Sequence, residues 1–262
     1  MQKEIFTYDS HIHTIYSGHS HKATTVDAIY KRWQETDLER IAITEHVFSQ
    51  RDLARIHNIA GELPEDENVV LGVEIDADSI SLDGKLVAPT DGIDWVIVSF
   101  HKFPGTHVWW HDNSRELRAE EDLYNDWVEW AHKVISVSRP HALAHPGAMI
   151  CQLSIVESFS GKVLRDFEEI LQSCKEYGVA IELNEGMHRK ITPAQKDSYY
   201  RVFQIAKEKQ VKVTLGSDAH SLPQIGNFSW AREIAAKVGL GPEDLLKPVR
   251  TVGDYTKVLA SV

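Results

Sequence analysis

Residues 211–220, VKVTLGSDAH, join two patterns within ten positions. The stretch 211–216 reads as the near-continuous apolar run of a strand buried on both faces. It ends in Ser217-Asp218-Ala219-His220. In an extended chain positions i and i+2 point to the same side, so Asp218 and His220 can reach into one pocket. Working outward, the pairing of apolar run and polar terminus recurs. Candidate strands at 4–9, 40–44, 94–100, 141–144 and 179–183 run into Asp9-Ser10-His11-Ile12-His13, Glu45-His46, His101, His145-Pro146-Gly147 and Asn184-Glu185-Gly186, and a strand at 69–75 contains Glu74.

Between these runs lie amphipathic segments. Residues 25–37 place Val26, Ile29, Tyr30 and Trp33 on one face, with Thr25 as N-cap. Further helices are predicted over 117–137, over 160–177 with Gly178 as the stop, over 193–209 with Pro193 in the first turn, and over 229–238. A short helix and a tail are expected over 242–261. Strands alternating with helices predict an α/β fold with a parallel sheet or barrel. Barrels carry their sites at the C-terminal ends of the strands, so seven polar strand ends point to one convergent site.

The spacing of ionisable residues fits metal binding. His11 and His13 can reach one ion together, as Asp218 and His220 can. Imidazole is the commonest transition-metal ligand, and carboxylates complete or bridge such sites. The 14 histidines are about twice ordinary usage for 262 residues. A lone His-x-His is more often structural; the Asp-x-His partner and five further strand ends favour metal.

Composition bounds the rest. A chain of this length with 42% hydrophobic residues suits a single domain spanning 1–262. Two cysteines, Cys151 and Cys174, outside any CxxC spacing, read as reduced thiols. No basic stretch followed by an apolar run opens the chain, and no run approaches the ~18 apolar residues of a membrane helix. Together these predict a cytoplasmic enzyme without membrane contact. The formal net charge of −11 argues against a general nucleic-acid binder. Residues 102–120, KFPGTHVWWHDNSRELRAE, form a long aromatic loop, either functional over the site or packed by its own Trp109 and Trp110.

At these residues the chain resembles the polymerase-and-histidinol-phosphatase (PHP) superfamily. The matching pieces, in the family's order, are DSHIHTIYSGHS at 9–20, AITEH at 42–46, GVEID at 72–76, SFH at 99–101, AHPG at 144–147, ELN at 182–184 and GSDAH at 216–220. The resemblance implies a distorted (β/α)7, TIM-like barrel holding two or three divalent metal ions: zinc, manganese or iron. Carried over, one ion would take His11, His13, Glu74 and Asp218. A second would share Glu74 and add His101 and His145; a third would take His19, His46 and His220. Many relatives carry Asp-Gly after Tyr-Ser, where this chain has Gly18-His19-Ser20; His19 resembles the trinuclear phosphatase branch.

The expected chemistry is hydrolysis of a small-molecule phosphomonoester, with histidinol-phosphate phosphatase the sharpest named option that the resemblance offers. A divalent ion lowers the pKa of bound water from about 15.7 to about 7. The expected step is therefore in-line attack by a metal-bridging hydroxide, with Glu74 as bridging carboxylate. Arg189, in NEGMHRK, is the first candidate for phosphate binding, and similar Asn…Arg-Lys segments occur in histidinol-phosphate phosphatases of the superfamily. Lys190 and Lys102 follow as substrate-binding candidates. Asp9 is expected to orient a ligand histidine. Glu45 either orients His46 or donates a proton to the leaving group. Two other readings are a PHP-type nuclease, disfavoured by the acidic charge and absent basic stripe, and a vestigial non-catalytic module, disfavoured because all nine ligands are present.

Overall fold

Seven strands follow one another around a parallel sheet in chain order: β1 (Tyr8–Ile12), β2 (Arg40–Val47), β3 (Val69–Asp76), β4 (Trp95–Ser99), β5 (Ala142–Leu143), β6 (Ala180–Asn184) and β7 (Val213–Gly216). This computed structural model describes residues 4–77, 92–106, 108–111, 118–253 and 255. The sheet closes on itself just beyond the last strand. Ile12 bridges Ala219 in parallel, His13 N–H donates to the Ala219 carbonyl at 2.9 Å, and Ala219 N–H donates to His11 at 3.3 Å. The result is the distorted (β/α)7 barrel that the family resemblance implies, and it agrees with the parallel sheet or barrel expected from the alternating pattern.

The helices are α1 (Val26–Gln34), α2 (Leu53–Glu62), α3 (Glu120–Lys133), α4 (Gly161–Tyr177), α5 (Pro193–Glu208) and α6 (Ser229–Val238). Their ends obey local chemistry. Thr25 Oγ1 accepts from Ala28 N–H, and Thr192 and Gln195 form a capping box ahead of Pro193. Helix α4 stops at Gly178, whose φ of 72° suits a residue without Cβ. Among the described residues no helix is long and apolar enough to cross a membrane.

Two hydrophobic layers result. One fills the space between helices and barrel. The other is a small set inside the barrel: Ala42, Val70, Trp95, Ile97, Ala142, Ala144 and Ala180, with Leu246 against it. Four alanines leave room for one large ring, and Trp95 fills it. The C-terminal tail then covers this end. Leu246 N–H donates to Val213, Tyr8 Oη donates to the Leu246 carbonyl, and Arg250 Nη1 donates to the Asp66 carbonyl at 2.8 Å. The opposite end stays open.

Some boundaries differ from expectation. Strand β1 starts four residues late and runs through His11, while β2 extends past His46, so these groups lie within strands. Helix α2 was not anticipated. Its buried residues are Ile56, Ile59 and Ala60, with Leu53 half-buried against the core, and Asn58 and Gly61 dilute the pattern. Helix α3 begins at Glu120 and ends in a π-turn, Val134–Ser138. Of the expected 242–261 segment, Pro242–Asp244 is a 3₁₀ turn, and 254 and 256–261 lie outside the described residues, as do 107 and 112–117 of the 102–120 loop.

Candidate metal centre

Alternation along each strand decides which side chains meet. Ala42, Val70, Trp95, Ile97, Ala142 and Ala180 face the lumen, so the same phase carries His46, Glu74, His101 and Glu182 inward one or two steps later. Strand β1 needs a correction of phase to join them. Its partners are Asp9↔Ile41 and then Ile12↔Ile43, so Ser10 and His11 together stand against Ala42. This bulge lets Ser10 Oγ reach Thr214 Oγ1 (3.0 Å) and the Leu215 carbonyl (2.8 Å) while His11 and His13 turn to the centre. Two further members sit on strained backbone: His145 has φ 29° and Asp218 φ 55°. Such non-glycine conformations cost about 1–3 kcal/mol each and concentrate where a side chain must be aimed.

The donors converge. His11 Nε2 and His13 Nε2 lie 3.0 Å apart, 3.3 and 3.4 Å from Glu74 Oε2, and 3.8 and 3.4 Å from Asp218 Oδ1. Four donors at about 2.1 Å from a shared ion stand about 3.4 Å apart in a tetrahedron, so these spacings suit one cation. The other carboxylate oxygen, Glu74 Oε1, faces His145 Nε2 at 2.9 Å and His101 Nε2 at 3.5 Å. His46 Nδ1 lies 2.8 Å from Glu74 Oε2, and His220 Nε2 lies 2.7 Å from His19 Nε2. Three overlapping groups could each hold an ion: His11, His13 and Asp218; His46, Glu74 and His101; and His13, His46 and His220. His19 is exposed and closes the edge over His220.

Whether a divalent ion fits is answered by atoms without partners. Both nitrogens of His46 and Glu74 Oε2 are buried with no hydrogen-bond partner among the described residues, although His46 Nδ1 and Glu74 Oε2 are close. Unmet buried polar atoms cost about 1–3 kcal/mol apiece, and a cation among them removes that cost. The electrostatics agree. Burial alone would raise the Glu74 carboxyl, but the imidazoles of His11, His101 and His46 hold it well below the usual carboxylate range. Burial also works to raise Asp218, and Lys190, His13 and His11 overcome it. Burial, reinforced by His13, lowers His46 to about 4 and His220 to about 3, leaving neutral lone pairs at pH 7. Burial opposes a charge on His13 too, yet hydrogen bonds to Asp218 and Glu45 raise it to about 9. The centre demands positive charge. The donor set of imidazoles and carboxylates suits divalent metals.

Buried carboxylates hold the donors in place. Glu45 is the partner of His13, not of the His46 ring: Oε1 lies 3.4 Å from His13 Nδ1 and Oε2 accepts from Thr14 Oγ1 and N–H. It touches His46 only at the backbone N–H. Burial pushes it up, but His13 and Thr14 bring it down to about 2, so it is a carboxylate with its lone pairs engaged rather than a ready proton donor. Among the described residues Asp9 binds no imidazole; it accepts the backbone N–H groups of Ser217, Gly226 and His11 and so ties β1 to the β7 end. Glu182, which the sequence reading passed over, accepts from His11 Nδ1 at 2.8 Å, His145 N–H at 2.6 Å and Asn184 Nδ2 at 3.0 Å. A charged residue inside the apolar run of β6 was its signal. Gly216 makes its room: a Cβ there would lie 1.8 Å from Glu182 Oε1.

Above the donors lies a cavity of about 700 Å³ lined by Ser17, His19, His46, Phe48, Arg55, His101, Trp109, Trp110, His111, Arg189, Lys190, Asp218, His220 and Gln224. Arg189 and Lys190 are therefore at the site, and Lys190 Nζ pairs with Asp218 Oδ2 at 2.8 Å. Lys102 does not line the cavity; its ammonium lies over the rings of Phe48 (5.2 Å) and Trp109 (5.1 Å). Arg55, on the unanticipated α2, joins the wall, its guanidinium paired with Asp52. His111, from the 102–120 loop, lines the cavity as well, whereas His57 is exposed on α2 and His132 bonds Ser173.

The chain is 29% identical over 240 residues to a probable phosphatase of Vibrio parahaemolyticus, covering 87% of this chain and 83% of that protein. It is 26% identical over 261 residues to a probable phosphatase of Acetivibrio thermocellus, covering 96% and 95%. The fold is similar to that of histidinol phosphate phosphatase from Lactococcus lactis, solved with zinc, L-histidinol and phosphate: TM-score 0.69 at 18% identity, covering 94% of this chain and 97% of that one. A putative histidinol phosphatase from Listeria monocytogenes gives a TM-score of 0.65 at 18% identity, covering 85% and 98%. The sequence pattern of the PHP domain matches residues 9–186, and the chain belongs to the PHP domain family.

Proposed function

We propose that this chain is a divalent-metal-dependent phosphomonoesterase acting on a small molecule, with residues 1–262 as one domain. The observation that carries the reading is the placement of Glu74. Its two oxygens face two different sets of imidazoles on the floor of a cavity walled by Arg55, Arg189 and Lys190. The proposed ligands are His11, His13, His19, His46, Glu74, His101, His145, Asp218 and His220, holding two or three ions of zinc, manganese or iron. Bound ions would supply a nucleophilic oxygen at neutral pH and neutralise phosphoryl charge.

The protein's own groups do the rest. Glu45 and Glu182 fix the rings of His13 and His11 so that their Nε2 atoms point at a common centre. Asp218 places Lys190 beside the donors, and Lys190 and Arg189 meet the phosphoryl oxygens that face away from the floor. Glu45, held as a carboxylate, positions and does not protonate. The related proteins named as probable phosphatases support hydrolysis of a phosphate ester.

The test is phosphate release from a panel of phosphomonoesters by protein loaded in turn with manganese, zinc and iron. Histidinol phosphate belongs first, because the Lactococcus protein of the same fold was solved with L-histidinol and phosphate. Bound metal with turnover of at least one monoester is the expected result. No bound metal, or cleavage of single-stranded DNA in preference to every monoester, would overturn it.

A further inference from the structure

Helix α2 grips the loop that carries His19. Arg55 Nη1 donates to the Tyr16 carbonyl at 3.4 Å, and Tyr16 Oη donates to the Glu62 carboxylate. The same guanidinium pairs through Nη2 with Asp52 Oδ1. The other oxygen, Asp52 Oδ2, accepts the N–H groups of Phe48 and Ser49, each at 2.9 Å. A continuous chain of polar contacts therefore starts just past His46, passes through Asp52 and Arg55, and ends on a carbonyl shortly before His19. Asp52 is buried and Arg55 half-buried, so water competes less for these links.

His19, His46 and His220 are the proposed ligands of a third ion. His19 Nδ1 donates to the Ser17 carbonyl at 3.2 Å, and His220 Nδ1 donates to the Asp218 carbonyl at 3.0 Å. Each neutral ring therefore presents a bare Nε2, and the two Nε2 atoms face each other at 2.7 Å, where a shared cation relieves their repulsion. The rings of His19 and His46 lie 5.1 Å apart. Yet His19 is exposed, and its loop turns through Gly18 (φ 82°) in open space. Ser17 Oγ accepts the N–H groups of His19 and Ser20, which shapes the loop without fixing where it stands. Its placement comes from two ties. His21 N–H donates to the His220 carbonyl at 2.8 Å and sets the His220 side. The Asp52–Arg55 chain sets the His46 side. We propose that Arg55 is a positioning residue for the third ion: with Asp52 it holds the His19 loop against the end of β2 and so raises that ion's affinity. This rests on the proposed three-ion ligand set and adds two residues that bind no ion themselves. A positive charge beside the cluster would by itself repel a cation, so a gain in affinity from Arg55 has to come through geometry.

The probe is zinc, counted by metal analysis and titrated against a competing chelator with no substrate present. The wild type is expected to bind three ions, one of them more weakly than the others. R55M keeps the apolar stem and removes both donors; it should weaken that ion about tenfold and leave the other two unchanged. R55K should resemble R55M, because one ammonium cannot span Asp52 and the Tyr16 carbonyl as the planar fork does. D52N breaks the chain at its other link and should weaken the same ion. H19A removes the ligand directly, and adding R55M to H19A should cost nothing further. The two tight ions and the melting midpoint report that each variant is folded. Zinc held by R55M as tightly as by the wild type, or more tightly, would overturn the proposal and leave metal-dependent hydrolysis intact. So would a double variant H19A/R55M weakened about tenfold beyond H19A, or loss of all three ions in both R55M and D52N. Only two ions in the wild type would remove the third-ion assignment and this proposal together, and no bound ion would remove the phosphatase reading as well.

Discussion

The two ends of the barrel are built by opposite rules. At the N-terminal end small residues surround Trp95, the tail seals the opening, and Arg250 spends its guanidinium on backbone carbonyls of Pro64, Asp66 and Val69. At the C-terminal end imidazoles and carboxylates crowd together, two of them on left-handed backbone, with buried polar atoms left without partners. Among the described residues, unpartnered buried polar atoms occur at both ends, but at the first the Trp95 indole Nε1 is a single neutral group in an apolar layer, whereas at the second they are the ligand atoms of His46 and Glu74 crowded against one another. The difference teaches that stability and chemistry are separable along the barrel axis.

The separation can be broken in graded ways. The largest effect is expected at Glu74. E74Q should lower phosphate release at least about a thousandfold, the equivalent of several kcal/mol of lost charge stabilisation, while leaving the melting midpoint of the metal-free protein within a few degrees. Steady-state kinetics with thermal melting checks both halves. Next is W95A, expected to cost about 3–5 kcal/mol of stability through the void it leaves, with metal stoichiometry of the folded fraction unchanged. Urea unfolding and metal analysis together test this; a loss of metal without loss of stability would show that the ends are coupled.

A smaller effect is expected where a carboxylate merely aims a ligand. E182Q keeps the shape but not the charge, and should weaken metal binding by about 10- to 100-fold in a chelator competition. G216A should do the same by pushing Glu182 aside. The smallest effect belongs to Glu185, which sits at the open end but serves the scaffold by accepting the N–H groups of Trp230 and Ala231 at the start of α6. Burial raises its carboxyl against the pull of those N–H groups. A group with a raised folded pKa contributes stability below its unfolded value and loses it as pH rises through the folded value. Melting of the wild type should therefore fall as pH rises just above the ordinary carboxylate range, and E185Q should fall less, by no more than about 2 °C; the fall that remains belongs to Asp9, which burial raises to about 6.

Much of this was legible in the chain. Apolar runs ending in His, Asp or Glu identify the barrel strands, since period-two alternation links the lumen residues to the donors. Residues such as Glu74 and His145 stand out because nothing else explains a polar group at the end of a buried run. The bulge at Ser10 was not legible, because it is a property of pairing between β1 and β2. Arg55 was hidden by the weak face of α2. Glu182 was visible as a charge within an apolar run, but its service to His11 depends on contact across 171 positions of chain. The assignments of Glu45 to His13 and Asp9 to backbone N–H groups likewise depend on three-dimensional neighbours rather than on adjacency.

The joint between the first and last strands carries one more implication. His11 and His13 come from one edge of the sheet and Asp218 and His220 from the other, and the hydrogen bonds around Ala219 bring them face to face. During synthesis on the ribosome, the cluster therefore stays incomplete until residue 220 has emerged and the ring has closed. A nascent or truncated chain lacks those two donors, so metal loading reports on completion of the whole barrel.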